Sequence, residues 1–152
     1  MKIYFAGPLF TSYERSYIAQ CAKRLRDAGM EVFVPHEISL PKEGNIQKFV
    51  FDIDSKHVLW ADAVLALLDG PMVDDGTCVE IGIFWNEMQH NKSKKGIVGL
   101  VNDSRIIRNN EHLDGKGINL FVRGAIEDVG EVVEGFDAAF EILLKWHREM
   151  GN

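Results

Sequence analysis

The sequence predicts an α/β fold in which a parallel sheet of about five strands carries helices on both faces. Short apolar runs alternate along the chain with stretches whose apolar residues recur at helical spacing. One run, AVLALL at 63–68, is apolar throughout, as in a strand covered on both faces. Because strand–helix–strand units cross over with right-handed connections, this alternation predicts a doubly wound sheet of the flavodoxin-like or Rossmann-like kind. We expect the 152 residues to form one domain.

Local signals set the element boundaries in the first half of the chain. Gly7-Pro8 ends the first strand, and Gly29 follows the first helix at the usual C-terminal position. Pro35 stops the second strand, and Asn45 can cap the second helix. The predicted elements are strand 2–6, helix 13–28, strand 31–34, loop 36–44, a helix from Asn45 to about residue 60, and strand 63–68.

The second half continues the alternation. A polar loop follows the apolar strand at 63–68, and the charged residues 92–95 have the composition of a solvated turn. The last helix carries apolar residues on one face, which predicts that it packs on the sheet. The predicted elements are helix 76–90, strand 96–101, a long loop 102–117, a short helix 118–128, a short edge strand 132–133 and helix 135–150.

Composition excludes several classes of function. Seventeen Lys and Arg against 23 Asp and Glu give a net charge of −6, which is unlike a nucleic-acid-binding protein. There is neither a basic amphipathic stretch for a membrane surface nor an apolar run of the ~20 residues that a membrane span needs. Cys21 and Cys78 form neither a disulfide framework nor a metal motif, so we expect a cytoplasmic protein without metal or cofactor.

Candidate site residues follow the strands, because ligands of such sheets bind outside the carboxyl ends of the strands. The segment DGPMVDDGTCVEIGIFW at 69–85 combines an acidic loop with a helix start. Gly76 there allows a tight entry into the helix with free backbone N–H groups. Glu80 is expected near the helix N-terminus, where the ionised carboxylate is favoured and suits a nucleophile. A purely structural interpretation is that Glu80 only complements the helix dipole.

Two further residues have a structural and a functional interpretation. Asp54 lies mid-helix, where an aspartate is a poor helix former and needs either solvent, on an exposed face with Lys48 and Asp52, or a partner. Tyr4, inside the first strand, is expected in the core, where its hydroxyl needs a partner such as a carboxylate. The five histidines show no metal spacing, and the acidic loop lacks a phosphate fingerprint.

Four segments in order resemble the nucleoside 2-deoxyribosyltransferase family. They are the opening IYFAGPLF, Asp54 upstream of ADAVLALL, DDGTCVEIG, and GKGINLF, and the resemblance spans residues 2–126. It implies that Glu80 is a nucleophile that forms a covalent deoxyribosyl-enzyme and that Tyr4 orients it. An ionised carboxylate beside the anomeric carbon can stabilise and trap an oxocarbenium-like sugar.

The resemblance also implies residues around the substrate. Asp54 and Asp74 would flank the nucleobase, one of them handling the leaving-group proton, although the adjacent Asp75 could replace Asp74 in this role. Asn119 would come from a neighbouring subunit and bind the sugar 5′-hydroxyl, which implies a homo-oligomer; a bland interpretation is that it only caps the short helix. Gly7 and Gly76 would line the substrate site. Where the family often has Gln or Asn to contact the base, this chain has His36.

The implied reaction moves deoxyribose from a 2′-deoxynucleoside to another free nucleobase. Hydrolysis of a 2′-deoxynucleoside 5′-phosphate is disfavoured because Asn119 stands where a phosphate-binding relative would have Ser, and because the loop at 69–75 is acidic. The same residues are also compatible with a ribonucleoside hydrolase or with a non-enzymatic nucleotide-sensing domain. The sequence leaves open both the preferred base and the balance between transfer and hydrolysis.

Overall fold

The computed structural model describes residues 1–103 and 117–151. In these ranges the strands are β1 (Lys2–Ala6), β2 (Glu31–Phe33), β3 (Ala63–Leu67), β4 (Gly96–Val101) and β5 (Glu131–Glu134). The α-helices are α1 (Ser12–Asp27), α2 (Ile46–Trp60), α3 (Asp75–His90), α4 (Leu120–Glu127) and α5 (Phe136–Met150), and a 3₁₀ turn covers Pro35–Glu37.

The five strands form one sheet in the order β2-β1-β3-β4-β5, and every neighbouring pair is parallel. The doubly wound α/β prediction is therefore confirmed. The chain moves from β1 outward to β2 and then back across β1 to β3, so the order reverses between β1 and β3. In such sheets a crevice opens at this point, outside the carboxyl ends of the two strands. The predicted edge strand is β5.

The sheet separates two apolar layers, because successive strand residues point to opposite faces. Ile3 and Phe5 belong to the buried cluster that contains residues of α1 and α5. Tyr4 and Ala6 belong to the other cluster, with residues of α2, α3 and α4. The alternation therefore sends the Tyr4 ring toward the layer that holds α2 and α3.

Most predicted boundaries agree with the structure to within two residues. Asn45 caps α2 as expected, its side chain accepting a hydrogen bond of 2.9 Å from Lys48 N. Helix α4 is shorter than the predicted 118–128, because Asn119 is its N-cap and Ile118 is buried before the helix begins. The predicted loop 36–44 begins with part of the 3₁₀ turn. Most of the predicted loop 102–117 lies outside the described residues.

Both cysteines lie in the described part of the chain. Cys21 is buried and Cys78 is half-buried, and both are free thiols. Across residues 1–103 and 117–151 the structure contains no helix with the length and apolar character of a membrane span.

Candidate active site

Tyr4, in the apolar layer that contains residues of α2 and α3, contacts Glu80 of α3. Tyr4 lies in the middle of β1 and is fully buried. Its hydroxyl donates a hydrogen bond of 2.5 Å to Oε1 of Glu80 on α3. This is the carboxylate partner that a buried tyrosine at this position was expected to need. The bond connects the central sheet to the helix that follows the acidic loop.

The Glu80 carboxyl is harder to ionise than the sequence suggested. Its pKa is raised from 4.5 to about 7, mainly by burial and also by the charges of Asp54 and Asp74, while the hydrogen bond from Tyr4 opposes this rise. We expected the helix N-terminus to favour the charged form of Glu80. This expectation is wrong because the effects that raise the pKa prevail. Helix α3 begins at Asp75, so Glu80 is its sixth residue and lies beyond the first turn, where the dipole acts most strongly.

Tyr4 itself stays protonated. Burial, followed by the neighbouring Glu80 and Asp54 charges, raises the pKa of its hydroxyl far above the ordinary value for tyrosine. Tyr4 is therefore a permanent hydrogen-bond donor to Glu80 over the working range of pH. It holds one carboxylate oxygen and leaves Oε2 for another contact.

Asp54 faces the interior edge of α2 and does not share the exposed face of Lys48 and Asp52. Those two residues form an exposed ion pair of 2.6 Å with each other, whereas Asp54 is half-buried. Burial raises the pKa of the Asp54 carboxyl, and the nearby His57 opposes that rise. The charge of Asp54 in turn contributes to the raised pKa of Glu80.

The structure distinguishes the two adjacent aspartates. Asp74 caps α3, its Oδ2 accepting hydrogen bonds from Thr77 N at 2.9 Å and from Thr77 Oγ1 at 3.1 Å. Its charge is one of those that raise the Glu80 pKa. Asp75 is exposed, and its Oδ1 accepts from the next backbone N–H, that of Gly76. Asp74 is therefore the aspartate coupled to Glu80, and a buried Thr77 holds it there.

Two cavities meet at Asp54. The carboxylate cavity, of about 450 Å³, lies between α2 and α3 and is lined by Asp54, Glu80 and mainly apolar residues. The histidine cavity, of about 350 Å³, is lined by His36, Asp54 and apolar residues that include Leu9, Phe49 and Ile53. Val50 also borders both. Asp54 is thus the carboxyl group that lines both the cavity with Glu80 and the cavity with His36.

The two glycines of the predicted site have different surroundings. Gly76 lines the carboxylate cavity, and a Cβ there would come within 3.2 Å of Asp74 Oδ2, so glycine leaves room for the helix cap. A Cβ on Gly7 would meet the Leu67 Cβ at 3.0 Å. Gly7 thus allows close packing against β3, and it borders neither cavity.

Asn119 lines neither the carboxylate cavity nor the histidine cavity of its own chain. Its Oδ1 caps α4 by accepting hydrogen bonds from Phe121 N at 2.9 Å and from Val122 N at 3.4 Å. The helix-cap interpretation of Asn119 is therefore observed. The residue is exposed, and the following Leu120 and Phe121 are 59% and 89% exposed.

One polar anchor was not singled out from the sequence. The carboxylate of Asp69, just after β3, accepts hydrogen bonds from the backbone N–H groups of Asn102 and Asp103 at 2.8 and 2.9 Å. It thereby links the chain after β3 to the chain after β4. The signal was an aspartate directly following a buried strand. In the described ranges no group of three or more His, Cys, Asp or Glu side chains could hold a metal ion.

The site combines two carboxyl groups with cavities lined mainly by apolar residues. A carboxylate held by a tyrosine can act as a nucleophile, and a second, half-buried carboxyl near it can carry a proton. Burial and mutual repulsion separate the tasks of two such carboxyl groups.

The chain is similar to several known proteins. The family model described as nucleoside 2-deoxyribosyltransferase matches residues 3–139. An uncharacterized protein of Ureaplasma parvum serovar 3 is 31% identical over 137 residues, with 83% of each chain covered. A conserved protein of Enterococcus faecalis V583 has a structure similar at a TM-score of 0.79, with 29% identity over 97% of this chain and 98% of that one. The 2-deoxyribosyltransferase of Bacillus psychrosaccharolyticus matches at a TM-score of 0.66, with 26% identity over 92% of this chain and 90% of that one.

Proposed function

The chain belongs to the nucleoside 2-deoxyribosyltransferase family, and we propose that it cleaves the N-glycosidic bond of a 2′-deoxynucleoside and transfers the sugar to another nucleobase. The observation that carries this proposal is the Tyr4–Glu80 hydrogen bond of 2.5 Å beside the half-buried Asp54. This is a positioned carboxylate nucleophile with a neighbouring carboxyl to serve the leaving group.

In the first step the free oxygen of Glu80 attacks C1′ of the sugar. The new C1′–O bond forms as the C1′–N bond breaks, and the bonding electrons leave with the base. Tyr4 holds the other carboxylate oxygen and fixes the direction of attack. In the second step an incoming base attacks C1′ from the opposite side, and Glu80 leaves as a carboxylate. Two displacements give overall retention at C1′.

Asp54 is the proposed proton carrier for the base. Its pKa is raised by burial, which favours the protonated form that a departing base requires. It also borders both cavities, so it can act where sugar and base meet. Asp74 caps α3 and adds negative charge near Glu80. We assign Asp74 to the substrate site through this position.

A neutral nucleoside fits better than a nucleoside phosphate. A third cavity, of about 300 Å³, is lined by Glu14, Asp69, Asp74 and Asp75 together with apolar residues. Four carboxylates around one opening repel a phosphate group.

The free thiols Cys21 and Cys78 are compatible with the reducing cytoplasm in which nucleosides are recycled.

We also propose that Asn119 acts in a neighbouring subunit of a homo-oligomer. Its side chain lines neither the carboxylate cavity nor the histidine cavity of its own chain, and exposed Leu120 and Phe121 follow it. Apolar side chains at the start of α4 favour burial against another subunit. Asn119 would then reach the sugar hydroxyl of that subunit's substrate through its free amide N–H₂.

Trapping of the sugar tests the central step. Incubation with a 2-fluoro-substituted nucleoside, which slows the second displacement, should add the mass of the fluorosugar to the peptide containing Glu80. A label on another residue would overturn the assignment. Incubation of a deoxynucleoside with and without a second base, followed by chromatography, separates transfer from hydrolysis. Free deoxyribose in both reactions would show an N-glycosidase.

A further inference from the structure

The His36 imidazole occupies an unusual position in the histidine cavity. Apart from His36 and Asp54, the described residues that line this cavity are apolar. The Nδ1 atom of His36 is buried and has no hydrogen-bond partner among the described residues. Buried polar atoms are almost always paired, so an exception in a cavity wall requires an explanation.

A residue outside the 3₁₀ turn, Arg26, holds the turn that carries His36 in place. Glu37, the next residue, receives two hydrogen bonds from the Arg26 guanidinium, at 2.9 and 2.6 Å. Arg26 also donates to the Val32 carbonyl at 2.7 Å, and Pro35 fixes the start of the turn. These contacts therefore hold the backbone that carries the His36 imidazole in place at the wall of the cavity.

The unpaired Nδ1 determines which proton form of the ring is favoured. A neutral imidazole carries one N–H donor and one lone pair. A buried donor without a partner is rarer and more costly than a buried acceptor without one. We therefore place the proton on Nε2, so that His36, which lines the cavity, can act as a donor to a ligand there. A glutamine at this place would offer either a donor or an acceptor, because its amide can turn over.

The chemistry of the proposed reaction places the base in this cavity. Glu80 must approach C1′ from the side opposite the departing base, because the displacement is in line. Glu80 lines the carboxylate cavity, and Asp54 lines both this cavity and the histidine cavity. With the sugar at Glu80 and the glycosidic nitrogen at Asp54, the base extends toward His36.

We infer that His36 is a specificity-determining residue that selects nucleobases with an oxo group over those with an amino group at the edge farthest from the sugar. This inference rests on the proposed function. That edge is position 6 of a purine and position 4 of a pyrimidine. An oxo group there accepts the Nε2–H bond, whereas an amino group confronts one donor with another.

The test compares kcat/KM for deoxyinosine and deoxyadenosine, and for deoxyuridine and deoxycytidine. The wild-type protein should prefer the oxo member of each pair. H36Q should reduce each oxo-to-amino ratio of kcat/KM by roughly tenfold relative to the wild-type ratio. Because the variant and the wild type are compared on the same two substrates, the intrinsic difference in lability between those substrates cancels. H90Q, at the exposed end of α3, is the matched control and should leave both ratios unchanged.

Binding of free bases gives a second readout that needs no turnover. In an E80Q background, calorimetry should show tighter binding of hypoxanthine than of adenine, and H36Q should remove the difference. Ratios or affinities that H36Q leaves unchanged would overturn the inference, as would a wild-type preference for amino bases. A protein that binds bases with this preference but cleaves no nucleoside would refute the proposed function and leave the selection by His36 standing.

Discussion

The Tyr4 hydroxyl and the Glu80 carboxylate are joined by a 2.5 Å hydrogen bond between positions 76 residues apart in the sequence. The donor comes from the central sheet and the acceptor from the second turn of α3. This bond lowers the Glu80 pKa, against burial and two neighbouring carboxylates that raise it. The hydrogen bond therefore helps to set the pH at which the Glu80 carboxyl ionises.

Removing the Tyr4 hydroxyl should shift the pH dependence of activity. Activity should rise with pH as Glu80 ionises, with a midpoint near its pKa of about 7. In Y4F the ionised form loses its donor, so the midpoint should move upward by about one pH unit. The measurement is kcat/KM for a deoxynucleoside from pH 5 to 9.

Y17F is the matched control for the tyrosine. Tyr17 donates its hydroxyl to Asn102 Oδ1 at 3.0 Å and makes no contact with Glu80. Its profile should coincide with that of the wild-type protein. A Y4F midpoint at the wild-type position would show that the hydroxyl does not control Glu80 ionisation.

The same carboxyl should make stability depend on pH. The folded-state pKa of Glu80 is raised from 4.5 to about 7, so the folded state binds the proton more tightly than the unfolded state. The resulting contribution to stability is full below pH 4.5 and is lost as pH rises through 7. E80Q carries no charge, so its stability relative to wild type should increase over this window, by on the order of 1 to 3 kcal/mol.

Urea unfolding at pH 4.5, 6 and 8 measures this difference. E87Q, on the same helix, is the control: Glu87 accepts a hydrogen bond from Asn91 near the helix end and has no part in the Tyr4 pair. An E80Q difference that stays constant with pH would contradict the raised pKa.

The sequence was sufficient for the sheet and most helices because their signals are local. The continuous apolar run at 63–68 and the Asn45 cap each identify an element without knowledge of its neighbours. The end of α4 nearest Asn119 was predicted too early because Ile118, although apolar and buried, precedes the cap. Periodicity detects burial but does not separate a helix residue from a buried residue just before it.

The electrostatics of the site could not be obtained in this way. The protonation of Glu80 depends on burial under α2 and on Asp54, which is 26 positions away in the chain. The unpaired Nδ1 of His36 is likewise a property of the assembled cavity. Residue types indicated the candidate groups of the site, whereas their balance of charge required three-dimensional neighbours.

Asp54 should matter most for bases that leave poorly. D54N keeps the shape of the side chain but removes the acid that protonates the base. We expect kcat to fall by about 10²- to 10⁴-fold with ordinary deoxynucleosides, and far less with an activated leaving group that needs no proton. Single-turnover rates across a series of leaving groups measure the effect.

D52N provides the comparison on the same helix. Asp52 is exposed and paired with Lys48, so its replacement should leave the rates within about twofold, as expected for an exposed ion pair. Equal losses of D54N activity for good and poor leaving groups would assign Asp54 to substrate positioning instead of proton transfer.

Asp74 has a structural role that can be separated from its charge. D74N retains a side-chain oxygen to accept from Thr77 N, so its free energy of unfolding should stay close to that of the wild type. D74A removes the cap and should cost about 1 kcal/mol. If the charge acts at the substrate site, both variants should lose activity to a similar extent. Activity that follows stability alone, with D74N fully active, would leave Asp74 as a helix cap only.

Asn119 should act across a subunit interface. The E80A and N119A proteins are each expected to be inactive, since one lacks the nucleophile and the other the sugar contact. Mixing them under conditions that allow subunit exchange should restore part of the activity, because a mixed interface contains one intact site.

N119D separates the two roles of the side chain: aspartate still caps α4 but lacks the amide donor. N119D should therefore keep the wild-type stability and lose affinity for the sugar, whereas N119A should lose both, at about 1 kcal/mol of stability. Sedimentation analysis of the same samples tests the oligomer directly. A fully active monomer, or an N119D protein with wild-type KM, would show that Asn119 serves only as the N-cap of α4.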